Sequence, residues 1–139
     1  MSSLSSQFAR LIVKYVMAPP YKRAGMSISE WRKLMQPYIK FQKLPAGTVV
    51  QPASVNGIAA EWVRAPTAQT DCAILYLHGG AFIMGSPATH RELAARLSAA
   101  ARARVLVLDY RLAPEHPFPA AVQDAMSAYH CWAICFQPA

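Results

Sequence analysis

Acidic residues are nearly absent from the first third of this sequence. Up to Lys43 the cations Arg10, Lys14, Lys22, Arg23, Arg32, Lys33, Lys40 and Lys43 face a single carboxylate, Glu30, whereas beyond Lys43 the two signs balance. The whole formal charge of +7 therefore belongs to the N-terminal segment. No aromatic-basic stripe or nucleic-acid module goes with it, so the charge reads as a solvated face and nucleic acid is not an expected partner. Cysteine is also scarce. Cys72, Cys131 and Cys135 are odd in number and form no C-x-x-C pair, and no histidines cluster near them, so neither a disulfide framework nor a zinc site is indicated. A reducing, cytoplasmic setting is the expectation. No apolar run approaches the roughly 20 residues of a spanning helix. Repeats and low-complexity segments are missing too.

What is present suits one globular domain. The chain has 139 residues, 54% of them hydrophobic and 15% charged, a balance too apolar for disorder. A complete fold of this length buries roughly 68% of its unfolded surface. Phe8, Leu11, Ile12, Tyr15 and Val16 recur at helical spacing with Arg10 and Lys14 on the other side. The basic residues interrupt the apolar run and no small-residue cleavage site follows, so the expectation here is a helix rather than a signal peptide. It packs on its own domain, caps a substrate site or lies on a membrane surface. A second helix is expected from Ser29, as N-cap, to about Phe41, with Pro37 weakening its later half. "TVVQPAS" and "GIAAEWV", joined by Asn56-Gly57, read as an antiparallel pair. "CAILYLH" and "RVLVLDY" are continuous apolar runs, as strands covered on both faces require. Between them a helix is expected, with Thr89 and Glu92 as its capping box. The three form a parallel strand-helix-strand unit. A last helix starts near Ala120.

The apolar run ending in "LHGGAFIMG" places glycine where it weakens both strand and helix. A loop leaving the C-terminal end of a parallel strand lies where open α/β sheets bind ligands. Glycines there free backbone N–H groups to hold a developing negative oxygen. A phosphate cradle and a plain tight turn are the alternatives. Against phosphate, the loop has neither G-x-G-x-x-G nor a P-loop lysine, and apolar Phe82, Ile83 and Met84 follow it.

"HGGAFIMGSPATHRELAARLS" followed by "VLVLDYRLAPEHPFPAAVQDA" resembles the α/β-hydrolase superfamily, in particular its hormone-sensitive-lipase-like bacterial carboxylesterases, over roughly Pro45 to Tyr129. The resemblance implies an α/β fold with N-terminal cap helices (residues 1–44) and the first part of the hydrolase domain (45–139). It implies a serine acyl-transfer mechanism on small-molecule esters without cofactor or metal. The amides of Gly79, Gly80 and Ala81 would form the oxyanion hole, with Ala81 where a third glycine is common. His78, Asp109, Arg111 and Glu115 would shape the loops, Arg111 pairing with Glu115. Phe8, Leu11, Trp31 and Phe82 would line an acyl pocket. His90, His116 and His130 read as surface or loop residues.

Hydrolases of this kind use a serine in G-x-S-x-G, then an acid and a histidine. No G-x-S-x-G occurs in the sequence. The expectation is an N-terminal portion, truncated before the nucleophile strand, with no catalytic triad and no activity alone. The "CAILYLH" strand would then keep an unpaired edge that invites self-association. The competing expectation is a non-catalytic interaction protein, or a membrane-surface binder, that uses this edge and the basic N-terminal helix.

Overall fold

A computed structural model describes residues 25–135, and the expected helix around Phe8 to Val16 lies outside them. The elements run α1 (Ile28–Phe41), β1 (Val49–Val55), β2 (Ile58–Arg64), β3 (Gln69–Leu77), α2 (Pro87–Ala101), β4 (Ala103–Leu108) and α3 (Ala120–Cys135). The strands form one mixed sheet in the order β1-β2-β4-β3. β1 pairs with β2 antiparallel, with Val49 opposite Arg64 and Val55 opposite Ile58. Asn56 (φ 50°) and Gly57 (φ 81°) make the turn between them, both in the left-handed region that a tight hairpin needs. β4 is antiparallel to β2 and parallel to β3, with Ile74 opposite Val105 and Leu77 opposite Leu108.

β4 is central because its residues are apolar on both sides. Leu106 and Leu108 join Ala60, Tyr110 and Ala128 of α3 in one cluster. Val105 and Val107 point the other way, onto Val63 and onto Ala94 and Ala95 of α2. Each of these fully buried valines and leucines contributes roughly 1.5–3 kcal/mol of apolar transfer. The small alanines let α2 lie close to the sheet. Arg91 of α2 grips Glu61 of β2 with both prongs of its guanidinium, fixing the helix across the strands. Buried Ser98 accepts from Ala65 N at 2.9 Å and donates to Ala103 O at 2.6 Å, so its hydroxyl is satisfied.

The helix starts differ from expectation. Ser27, not Ser29, caps α1, in a reciprocal box with Glu30. Ser86, not Thr89, caps α2 and exchanges bonds with Thr89 as third residue. Proline lacks the N–H that a first-turn residue has no use for, so Pro87 marks the earlier start. Glu92 is left to pair with Arg96 one turn on, at 2.8 Å. α1 continues past Pro37 to Phe41. β3 pairs with β4 alone among the described strands, so one of its edges is open.

Candidate functional site

The His-Gly-Gly loop emerges from the C-terminal end of β3. Gly80 (φ 134°), Ala81 (φ 54°) and Phe82 (φ 61°) are three successive residues at positive φ. The turn closes on one acceptor, since the N–H groups of Ile83 and Met84 both donate to Gly80 O, at 3.1 and 3.0 Å. A Cβ on Gly80 would stand 1.9 Å from Met84 O, so the turn admits only glycine there. Among the described residues the N–H groups of Gly79, Gly80 and Ala81 have no acceptor. Three neighbouring donors are thus free at a strand end, as an anion or oxyanion site requires.

His78 anchors the loop from below. It is 3% exposed, and its Nδ1 lies 3.0 Å from the carbonyl oxygen of Gly79. A carbonyl can only accept, so Nδ1 carries the hydrogen. Nε2 is buried without a partner among the described residues. The ring stacks on Tyr110 at 4.3 Å and on His90 at 5.3 Å, and the Tyr110 hydroxyl donates to His78 O. Burial pushes the His78 pKa below the ordinary histidine value, outweighing the Gly79 bond, so the imidazole is held neutral. Gly85 closes the packing: a Cβ there would meet Gly79 O at 2.5 Å and His78 Nδ1 at 2.6 Å.

The profile of a family described as alpha/beta hydrolase fold matches residues 74–134. A solved esterase of the bacterial hormone-sensitive lipase family is 36% identical and superposes with a TM-score of 0.81, over 96% of this chain and 44% of its own. The chain has the α/β-hydrolase fold and is similar to esterases of the hormone-sensitive-lipase-like group. An esterase/lipase from an uncultured bacterium is 41% identical with a TM-score of 0.79, over 96% of this chain and 44% of that one. An acetyl-hydrolase of Streptomyces hygroscopicus is 52% identical over 86 residues, which are 62% of this chain and 27% of that protein. An esterase of Acinetobacter venetianus is 38% identical over 80 residues, 58% of this chain and 26% of that protein. The chain thus spans less than half the length of these relatives.

On this hydrolase scaffold the expected loop-shaping residues divide differently than expected. Arg111 does not pair with Glu115. Its guanidinium forks onto Asp124 of α3, whose carboxylate also accepts the Arg111 N–H at 2.9 Å. Glu115 instead binds Arg32 of α1, at 2.7 and 2.9 Å. Residues 111 to 115 do not form a helix, so a spacing of four does not make them neighbours. Asp109 donates its N–H to Ala59 O at 2.8 Å, which ties the loop to β2. Its carboxyl sits above the usual aspartate range, chiefly through burial.

Of the expected acyl-pocket residues, Phe8 and Leu11 lie outside the described part. Phe82 is 60% exposed and lines two adjoining apolar pockets. One, of about 160 Å³, is completed by Phe118 and Pro119; the other, of about 340 Å³, by Leu77, Val122 and Met126. Trp31, half-buried on α1, lines neither. Sequence reasoning missed Arg32, Tyr110 and Asp124. Tyr110 and Asp124 stand within the quoted "DYRLAPEHPFPAAVQDA" run, where their polar groups beside an apolar strand and helix were the available signal. Arg32 gave none beyond its charge.

Proposed function

We propose that this chain supplies the oxyanion-binding side of a serine-type carboxylic ester hydrolase for small-molecule esters. The observation that carries the reading is the group of acceptor-free amides at Gly79, Gly80 and Ala81, at the strand end where α/β sheets hold ligands. The names of the relatives, esterase and acetyl-hydrolase, point the same way. A serine Oγ attacks the acyl carbon as a base supplied with the serine takes its proton, the carbonyl π pair moves onto oxygen, and the loop amides hold that charge. On collapse the C–O bond to the leaving group breaks, the same base returns the proton to that oxygen so that it departs as the alcohol, and an acyl-serine is left for water to cleave. Phe82 offers apolar surface beside the loop for the acyl or alcohol group. His78 takes no proton here; it is neutral and buried, and it holds the loop.

No G-x-S-x-G is present in the sequence, so the nucleophile is expected from residues other than these. The 139-residue chain should show no turnover with short-chain nitrophenyl esters, and stoichiometric labelling by a fluorophosphonate would overturn that. Joined at about Tyr129 to the C-terminal half of a relative, it should hydrolyse short acyl esters. A folded joined protein with its triad in place and no hydrolysis would sink the oxyanion reading.

The open edge of β3 favours a second reading, association with another chain. Leu77, Met126 and Tyr129 beside that edge are about half exposed. Unpaired strand edges flanked by apolar surface recruit further strands. Sedimentation that stays monomeric up to high micromolar concentration would remove this reading.

A further inference from the structure

The strained turn is held from outside by one side chain. Arg32 projects from α1 and spends its guanidinium on three partners. Nε donates to Ile83 O at 2.8 Å, Nη2 to Ala113 O at 2.9 Å, and Nη1 and Nη2 fork onto the Glu115 carboxylate at 2.7 and 2.9 Å. The two loops are also joined directly, Ala113 N donating to Phe82 O at 2.9 Å.

Peptide planarity gives these bonds a directional consequence. In a trans peptide the C=O and the following N–H point opposite ways. Holding Phe82 O toward Ala113 turns the Ile83 N–H inward, and holding Ile83 O toward Arg32 turns the Met84 N–H inward. Both inward groups meet Gly80 O, the bond pair that defines the turn. Ala81 and Phe82 are non-glycine residues at positive φ, a conformation that persists only where the surroundings over-determine it. Lysine cannot replace arginine here, because an ammonium has no rigid planar fork with which to reach two carbonyls and a carboxylate in fixed directions.

We propose that Arg32 is the positioning residue of the oxyanion loop: through Ile83 O, Ala113 O and Glu115 it holds the Gly80–Met84 turn in the form that leaves the Gly79, Gly80 and Ala81 amides free. This rests on the reading of those amides as the oxyanion donors, but the clamp can be measured without any chemistry at the site.

The test uses the full chain, with amide NMR and hydrogen exchange as readouts. In Arg32→Ala the Gly79 and Gly80 amide resonances should shift and broaden, and exchange over residues 79–84 should quicken at least tenfold. The Val105–Leu108 amides should keep their protection. Millimolar guanidinium ion, but not urea at equal concentration, should restore the glycine resonances. The double variant Arg32→Glu/Glu115→Arg restores an ion pair but gives Ile83 O no donor, so the loop should stay loose. Arg32→Lys should loosen it to a lesser degree, and serves as the folded comparison should Arg32→Ala unfold. Unchanged glycine resonances in Arg32→Ala would overturn the proposal. So would loosening spread equally over β4, recovery in the double variant, or a wild-type loop in Arg32→Lys. An ordered loop in a joined, triad-bearing protein that hydrolyses no ester would instead count against the oxyanion reading and leave the clamp standing.

Discussion

Tyr110 lies flat on His78, ring centres 4.3 Å apart and planes 15° from parallel, while its hydroxyl donates to the His78 carbonyl oxygen. The residue that follows β3 is thus held by ring and by backbone from the segment that follows β4. The free amides of the next residues inherit their position from that double hold, since Gly79 is bonded in turn to the His78 ring.

Removing the hydroxyl isolates half of this hold. Tyr110→Phe keeps the stack but leaves a buried carbonyl without that donor, which costs about 1–3 kcal/mol. Urea denaturation should show a lower midpoint with an unchanged slope. A midpoint equal to the parent's would mean that the bond is not formed in solution.

The burial of His78 makes stability depend on pH in a definite direction. Its pKa lies below the ordinary histidine value in the folded chain, so the unfolded chain takes up the proton first. Stability from this group is whole above about pH 6.5 and falls as pH drops through that value toward the folded pKa. Asp109, raised by burial, acts with the opposite sign nearer pH 4, because the folded state protonates first there. Denaturation midpoints should therefore decline from pH 7.5 to 5.5, and the decline should be smaller in His78→Gln. An equal decline in that variant would place its source elsewhere.

The strands were legible in the sequence because their signals are local. Asn56-Gly57 names its own turn, and "RVLVLDY" shows by its unbroken apolarity that both faces are covered. The caps were displaced because several serines and threonines near each helix start satisfy the same rule. At α1 the box closes on Ser27 and Glu30, and at α2 Pro87 decides. The ion pairs were misread because their partners are distant. Arg111 and Glu115 are four apart, yet they bind Asp124 and Arg32, which only the packing of α3 and α1 brings close. Composition names the charges and the fold chooses among them. Family likeness carried the expectation of an oxyanion loop, while the three positive-φ residues that give the loop its shape were not readable from residue types, since Ala81 and Phe82 are poor candidates for that region.

Asp124 is the partner on which the Arg111 turn depends. The Arg111 guanidinium holds its carboxyl below the usual aspartate range, and the carboxylate also accepts the Arg111 backbone N–H. Its side chain is buried, but that of Arg111 is half exposed, so solvent screens the pair. Asp124→Asn should cost about 1–2 kcal/mol at pH 7. This contribution is present above about pH 4 and disappears as pH falls through the folded pKa, so parent and variant should converge in acid. Denaturation curves that stay equally far apart at pH 2.5 and pH 7 would contradict the assignment.

The glycine loop makes the most specific demand. Gly79 has φ outside the left-handed region and no atom within 4 Å of an added Cβ, so Gly79→Ala should fold like the parent. Gly80→Ala places its Cβ on the Met84 carbonyl, which is backbone and cannot step aside, so the turn must open. Ala81 already bears a Cβ at φ 54°, a conformation that costs a non-glycine residue roughly 1–2 kcal/mol. Ala81→Gly relieves that strain but also frees the unfolded chain, which takes back part of the gain. The expected net effect is a stabilisation of less than about 1 kcal/mol. Proline is a poor probe at 80 or 81, because its φ is fixed near −65° and it would rebuild the loop while deleting the donor. The order of urea midpoints should be Ala81→Gly at or above the parent, Gly79→Ala close to it, and Gly80→Ala clearly below. If Gly79→Ala and Gly80→Ala lost equal stability, Met84 O would not be packed against Gly80, and the turn that frees the three amides would not have the form described.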